Sequence, residues 1–200
     1  MIDPFESAHH KLQGDFFSVG YFDIPNMTLM DGVLRHVDKL AELAGIKSTD
    51  RVLDVGAGRG VVSQRLAART GCLVTPVDIV EAPGVTVADK NALPFADNSF
   101  DVYWSTLTWS YPDPNITTVS EARRVLRPGG TLAITDIRQD KPVIKRFDNV
   151  SVLDWTEHAL ESYRIMRRAD GLTREEHIIL RHYFDRLRMG TLSFWCAVAT

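Results

Sequence analysis

Arg51-Val52-Leu53-Asp54-Val55-Gly56-Ala57-Gly58-Arg59-Gly60 is the stretch whose reading decides the fold. Val52, Leu53 and Val55 suit a buried central strand, and glycines at every second position then let the chain turn tightly and bring its backbone against a ligand. Val61, Val62, Leu66 and Ala67 recur at helical spacing directly afterwards. A strand, a glycine turn and a helix N-terminus in succession form a nucleotide-type pocket at the carboxyl end of a sheet. Asp54 stands two residues before the first glycine, so a bound pyrophosphate would be repelled and a ligand with an amino group is favoured. The spacing is G-x-G-x-G, which differs from the G-x-G-x-x-G of nicotinamide dehydrogenases.

Working outward, Thr28 to Ala44 places Leu29, Val33, Val37, Leu40 and Ala44 on one helical face, with Gly45 as a stop. Past the first core helix, Gly71 breaks the chain and Cys72 to Ile79 reads as a second strand. It ends in Asp78, about 20 residues beyond the glycines, where a carboxylate can accept both ribose hydroxyls. Pro76 within that strand predicts a bulge or a local edge. Val85–Asp89, Val102–Ser105 and Thr131–Asp136 are three further strands. A helix runs from near Pro114 to Leu126 and is ended by Pro128, Gly129 and Gly130.

Two further helices are expected: one with a face of Trp155, Ala159, Tyr163 and Met166, and one opened by the capping box Thr173-Arg174-Glu175-Glu176 and running to about Met189. A terminal strand follows at 191–199.

The phrase Leu53-Asp54-Val55-Gly56-Ala57-Gly58-Arg59-Gly60 resembles the first motif of the class I S-adenosylmethionine-dependent methyltransferases. Leu93-Pro94-Phe95 with Ser99-Phe100-Asp101, and Leu126-Arg127-Pro128-Gly129-Gly130-Thr131-Leu132, resemble the quinone-biosynthesis-like (methyltransferase type 11) branch. The resemblance covers roughly residues 45–136 and is loose over 143–200. It implies an α/β fold: a Rossmann-like doubly wound sheet, mostly parallel, with an antiparallel last strand and helices on both faces. It also implies S-adenosyl-L-methionine as cofactor. The residues expected around it are Asp54, Gly56, Ala57, Gly58 and Gly60 in the glycine loop, and Asp78 with Ile79 at the end of the second strand. Asp89, Lys90 and Asn91 would sit at the adenine, and Ser105 and Thr106 at the end of the fourth strand.

Methyl transfer from a sulfonium needs mainly alignment of donor and nucleophile, so no metal is expected. A base would help a phenol or amine acceptor, and Asp136 and His158 are the candidates. Asp136 equally suits end-of-strand capping, and His158 lies off the Trp155–Tyr163 stripe, as a solvated histidine would. Related enzymes often carry a histidine after the fourth strand; here Trp109-Ser110-Tyr111 stands instead. That favours an aromatic pocket in which proximity dominates, with Trp109 and Tyr111 facing the acceptor.

Residues 1–27 read as an aromatic-rich arm without a clean period. The arm is either packing or a lid that brings Tyr21 to the site as a substrate-binding or catalytic residue, with His9 and His10 solvated. Residues 28–136 then form the cofactor core and 137–200 a substrate-side part with a reduced cap, all in one domain.

Only Ile137–Pro142 separate the fifth strand from a candidate strand at Val143–Leu153, and a parallel crossover takes a dozen residues or more. Either the cap is absent, or that stretch is not a parallel sixth strand, or a loop is missing from the sequence. A second subunit is another source of cover, which leaves a homodimer open.

Composition narrows the partners. Two hundred residues, 44% of them apolar, suffice for one full core. A net charge of −3 with interspersed signs argues against nucleic acid. Cys72 and Cys196 in apolar contexts read as buried thiols of a reducing cytoplasm, and no run approaches a membrane span. The motifs of adenine-N6, cytosine-C5 and arsenite methylation are missing, so a small organic acceptor remains. Two other readings stay open: a nicotinamide dehydrogenase, opposed by the glycine spacing and by Tyr163-Arg164-Ile165-Met166-Arg167, and a methyltransferase-like scaffold without turnover.

Overall fold

A computed structural model of the chain describes residues 4–16, 18–109, 116–138 and 147–200. The elements in order are α1 (Pro4–Gln13), α2 (Leu29–Ala44), β1 (Arg51–Val55), α3 (Val61–Thr70), β2 (Leu73–Asp78), β3 (Thr86–Val87) and β4 (Phe100–Thr106). They continue with α4 (Ile116–Val125), β5 (Leu126–Arg138), β6 (Ser151–Asp154), α5 (Thr156–Met166), α6 (Arg174–Arg188) and β7 (Ser193–Ala199). The strands form one sheet in the order β3-β2-β1-β4-β5-β7-β6. β7 is antiparallel to both β5 and β6, and the other pairs are parallel. The mostly parallel sheet with an antiparallel last strand is the expected architecture.

Alternation along the central strands divides the core in two. Val52, Val102, Trp104, Ala133 and Cys196 face one layer, where α1, α2, α3, α5 and α6 pack. Leu53, Val55, Tyr103, Leu132 and Ile134 face the other, against Val119, Ala122 and Val125 of α4. Every residue of β4 is buried, as a strand covered on both faces must be.

Local signals set the helix ends. Thr28 caps α2 in a full capping box, and Gly45 closes it in the left-handed conformation. Thr173 and Glu176 form the box that opens α6.

Several expectations are corrected. The N-terminal segment is helical over 4–13 despite its weak period, because α1 is tied to α6: Ser7 Oγ and Lys11 Nζ donate to the Glu176 carboxylate at 2.6 and 2.9 Å. His9 is fully buried, its ring edge-on to Tyr163, so of the two neighbouring histidines only His10 is exposed. β5 begins at Leu126, directly after α4, and Pro128-Gly129-Gly130 are absorbed by a register shift against β4. β3 is cut to two residues. β2 shows no bulge: β3 pairs only with Val77 and Asp78, so Pro76 stands where β2 is a local edge and needs no outer hydrogen bond.

Of the stretch 143–153, residues 143–146 lie outside the described residues; among the described ones the strand is at 151–154, and β7 lies between it and β5. Residues 139–150 therefore connect two strands of the same sense, the first eight of them outside the described residues. The next two helices come later in the chain, as α5 and α6 between β6 and β7.

Candidate functional site

The carboxyl ends of β1, β2, β4 and β5 meet at one rim of the sheet. Gly56 and Ala57 donate their N–H groups to Val77 O at 2.8 and 3.0 Å, so the loop after β1 is laid across the end of β2. Gly56 has φ +83°, and a Cβ there would lie 2.2 Å from Thr108 Oγ1. Gly58, at φ +54°, has nothing within 4 Å of the same position. The first glycine is required by the protein itself, whereas the space over the second is free to take a ligand.

Asp54 is buried at the end of β1, where Ser63 Oγ of α3 donates to its carboxylate at 2.5 Å. Burial pushes its pKa up to about 7; the Ser63 hydrogen bond opposes this and the Asp78 charge adds to it. Asp78 is only partly buried, and its two oxygens accept from Gly58 N at 2.7 Å and Val80 N at 3.0 Å. Beside it Ile79 is 72% exposed, an apolar side chain held in the open at the rim. Asp89 accepts from the backbone and side-chain nitrogens of Asn91, in a tight turn bridged to Ala92.

The Lys90 side chain turns inward. Nζ donates to Thr108 O and Trp109 O, both at 2.9 Å, and fixes the chain that leaves β4. Ser105 and Thr106 are buried at the end of β4. The expected cofactor residues are thus brought to one rim, with Lys90 present through its backbone.

The acceptor-side residues are sorted differently. Trp109 is fully buried in the second core, edge-on to Tyr103 at 5.8 Å, which corrects the expectation that its ring faces an open pocket. Tyr111 lies outside the described residues. Asp136 is buried and accepts from the Ile137 N–H at 2.8 Å, as a strand-end cap does.

The N-terminal arm crosses the rim: the Asp15 carboxylate stands 3.4 Å from Arg59 Nε of the glycine loop. Further on, Gly20 N donates to Ser162 Oγ, Tyr21 N to Gly32 O and Phe22 N to His158 Nδ1. These bonds bring Tyr21 against His158, ring centroids 3.8 Å apart, and against Trp155 at 4.7 Å. His158 is half-buried, not solvated, and burial lowers its pKa.

Sequence reasoning missed His36. It is fully buried; Nδ1 donates to Val19 O at 2.5 Å, and Thr135 Oγ1 donates to Nε2 at 2.9 Å. Burial takes its pKa down to about 4, so it is neutral. The signal was a single polar residue within the apolar face of α2, between Val33 and Val37.

A sheet of this order with a glycine loop and acids at two strand ends defines the class: a Rossmann-like methyltransferase fold. Residues 53–134 match the family described as methyltransferase domain. The chain belongs to the S-adenosylmethionine-dependent methyltransferases, and its homologues include quinone-biosynthesis C-methyltransferases.

It is 31% identical to a 27-O-demethylrifamycin SV methyltransferase of Amycolatopsis mediterranei, over 67% of this chain and 56% of that protein. It is 36% identical to the ubiquinone/menaquinone biosynthesis C-methyltransferase UbiE of Roseobacter denitrificans, over 64% of this chain and 60% of that protein. The chain spans less than two thirds of these relatives.

Among solved structures, a putative sarcosine dimethylglycine methyltransferase from Galdieria sulphuraria superposes with a TM-score of 0.82 at 20% identity, covering 98% of this chain and 97% of that one. The geranyl diphosphate C-methyltransferase of Streptomyces coelicolor, solved with S-adenosyl-L-homocysteine, gives 0.75 at 15% identity, covering 95% and 91%.

Among the described residues no helix is long and apolar enough to cross a membrane, and no group of three His, Cys, Asp or Glu side chains is placed to hold a metal.

Proposed function

We propose that the chain methylates a small organic molecule, at oxygen, nitrogen or carbon, with S-adenosylmethionine as donor. The observation that carries this reading is the Asp78 carboxylate at the end of β2, hydrogen-bonded to Gly58 N–H across a loop that leaves the space over Gly58 free. Each carboxylate oxygen keeps a lone pair beyond the one it gives to the backbone, so Asp78 accepts the two ribose hydroxyls without giving up the loop. Asp54 lies under the loop to balance an α-amino group. Asp89, with the backbone N–H of Lys90, faces the adenine edge, Asn91 holds the Asp89 carboxylate from within the turn, and Ile79 covers the adenine face. Gly56, Ala57, Gly60, Ser105 and Thr106 complete the wall.

The cofactor supplies a methyl group on a positively charged sulfur, already activated for in-line displacement. What is left to the protein is alignment and exclusion of water. The arm, residues 1–27, is the lid, joined to the glycine loop by Asp15–Arg59 and to α5 by Tyr21 and His158. Residues 28–136 hold the cofactor and 137–200 the acceptor, within one domain. Asp136, at the end of β5, is the carboxylate placed to take a proton where the acceptor has one to lose.

Titration calorimetry tests the reading. S-adenosylhomocysteine gives a binding isotherm and NADH none, and Asp78→Ala weakens binding by about 1–3 kcal/mol, the cost of unpaired hydroxyls. Unchanged affinity in the variant would remove Asp78 from the site. Binding without label transfer to any member of a small-molecule acceptor panel would reduce the protein to a scaffold.

A further inference from the structure

His158 carries an inference that deepens this reading and rests on it. A backbone N–H only donates, so the Phe22 N–H at 3.1 Å from Nδ1 makes that ring nitrogen an acceptor. An imidazolium has no lone pair to offer there. The ring is therefore neutral with its proton on Nε2, and the lone pair a general base would use is already engaged.

Among the described residues Nε2 has no hydrogen-bond partner, and the side chain is only half-buried, so this N–H is left to donate to a molecule from outside the protein. Tyr21 covers one face of the ring. Trp155, three residues earlier, is anchored at the rim by its N–H to Phe194 O, and Phe194 pairs with Ile137 at the end of β5. The rim at β5 is two strand spacings from the glycine loop at β1, roughly 10 Å, where an acceptor for a methyl donor seated on that loop has to lie.

We propose that His158 binds the acceptor molecule through Nε2–H, as a donor to a carbonyl or phenolic oxygen on a planar compound that packs against Tyr21. This role replaces that of a base. The ring nitrogen donor selects acceptors that carry an oxygen, and the arm, by supplying Phe22 N–H, holds the ring in the donating tautomer. Closing the lid and orienting the donor are one event.

Two measurements on the protein saturated with S-adenosylhomocysteine test this. Nitrogen-15 spectra at pH 7 should show His158 protonated at Nε2; protonation at Nδ1 would overturn the assignment. Matched probes, 2-naphthol with naphthalene and 4-hydroxybenzaldehyde with toluene, should show at least a tenfold preference for the oxygen-bearing member in one pair or both. That preference should be lost in His158→Asn, whose amide oxygen still accepts from Phe22, and kept in His158→Gln, whose amide nitrogen reaches the Nε2 position.

No preference in either pair, or one that survives His158→Asn, overturns the proposal. S-adenosylhomocysteine affinity is measured alongside: if it is absent the cofactor reading fails, and if it is present and equal in all forms only the His158 role is at stake.

Discussion

Asp54→Asn offers a direct measure of what a buried carboxylate does to this fold. Burial raises the Asp54 pKa from 3.8 to about 7, against the pull of Ser63. Between those values the folded chain holds a proton that the unfolded chain has released, so stability falls as pH rises through this window and is level outside it. A rise of roughly three units corresponds to a loss on the order of 4 kcal/mol across the window at 1.36 kcal/mol per unit.

Asparagine keeps the shape and accepts from Ser63 Oγ but does not ionise. Urea unfolding of both proteins from pH 4 to pH 8 should therefore show the variant gaining on the parent by several kcal/mol between pH 4 and 7 and holding that lead above. Subtracting the two curves removes every other titrating group. A difference that does not change with pH would refute the argument that this carboxyl is desolvated. On the proposed reading, S-adenosylhomocysteine should shrink the pH-dependent difference, because its amino group stabilises the ionised form.

Three further outcomes follow from the rim. Gly56→Ala forces a methyl into Thr108 and should cost about 2 kcal/mol or more in chemical unfolding; wild-type stability would mean that the loop is free of Thr108. The Cβ of Gly58→Val meets no protein atom within 4 Å, so the variant should fold with the left-handed penalty of about 1–2 kcal/mol while losing cofactor binding in calorimetry; retained binding would take the loop away from the ligand. Lys90→Met removes the donors to the half-buried Thr108 O and the buried Trp109 O and should destabilise by about 2 kcal/mol in urea; no change would show the two carbonyls satisfied otherwise.

What the sequence by itself determined is what short-range chemistry encodes. The β1–glycine–α3 unit, the caps of α2 and α6, the acid at the end of β2 and the family phrases around 93–101 and 126–132 are each written in residues a few positions apart. Turn geometry, helix capping and strand alternation act over that distance.

Other features depended on partners far along the chain. α1 is a helix because α6 lies across it, with Glu176 between Ser7 and Lys11. Trp109 and Lys90 turned inward because the core under β4 had room for the one and bare carbonyls for the other. His36 and His158 took fixed tautomers only when the arm brought Val19 O and Phe22 N–H to them, across 17 and 136 residues of sequence. A donor or acceptor role for an imidazole is set by what touches its other nitrogen, and no local pattern carries that information.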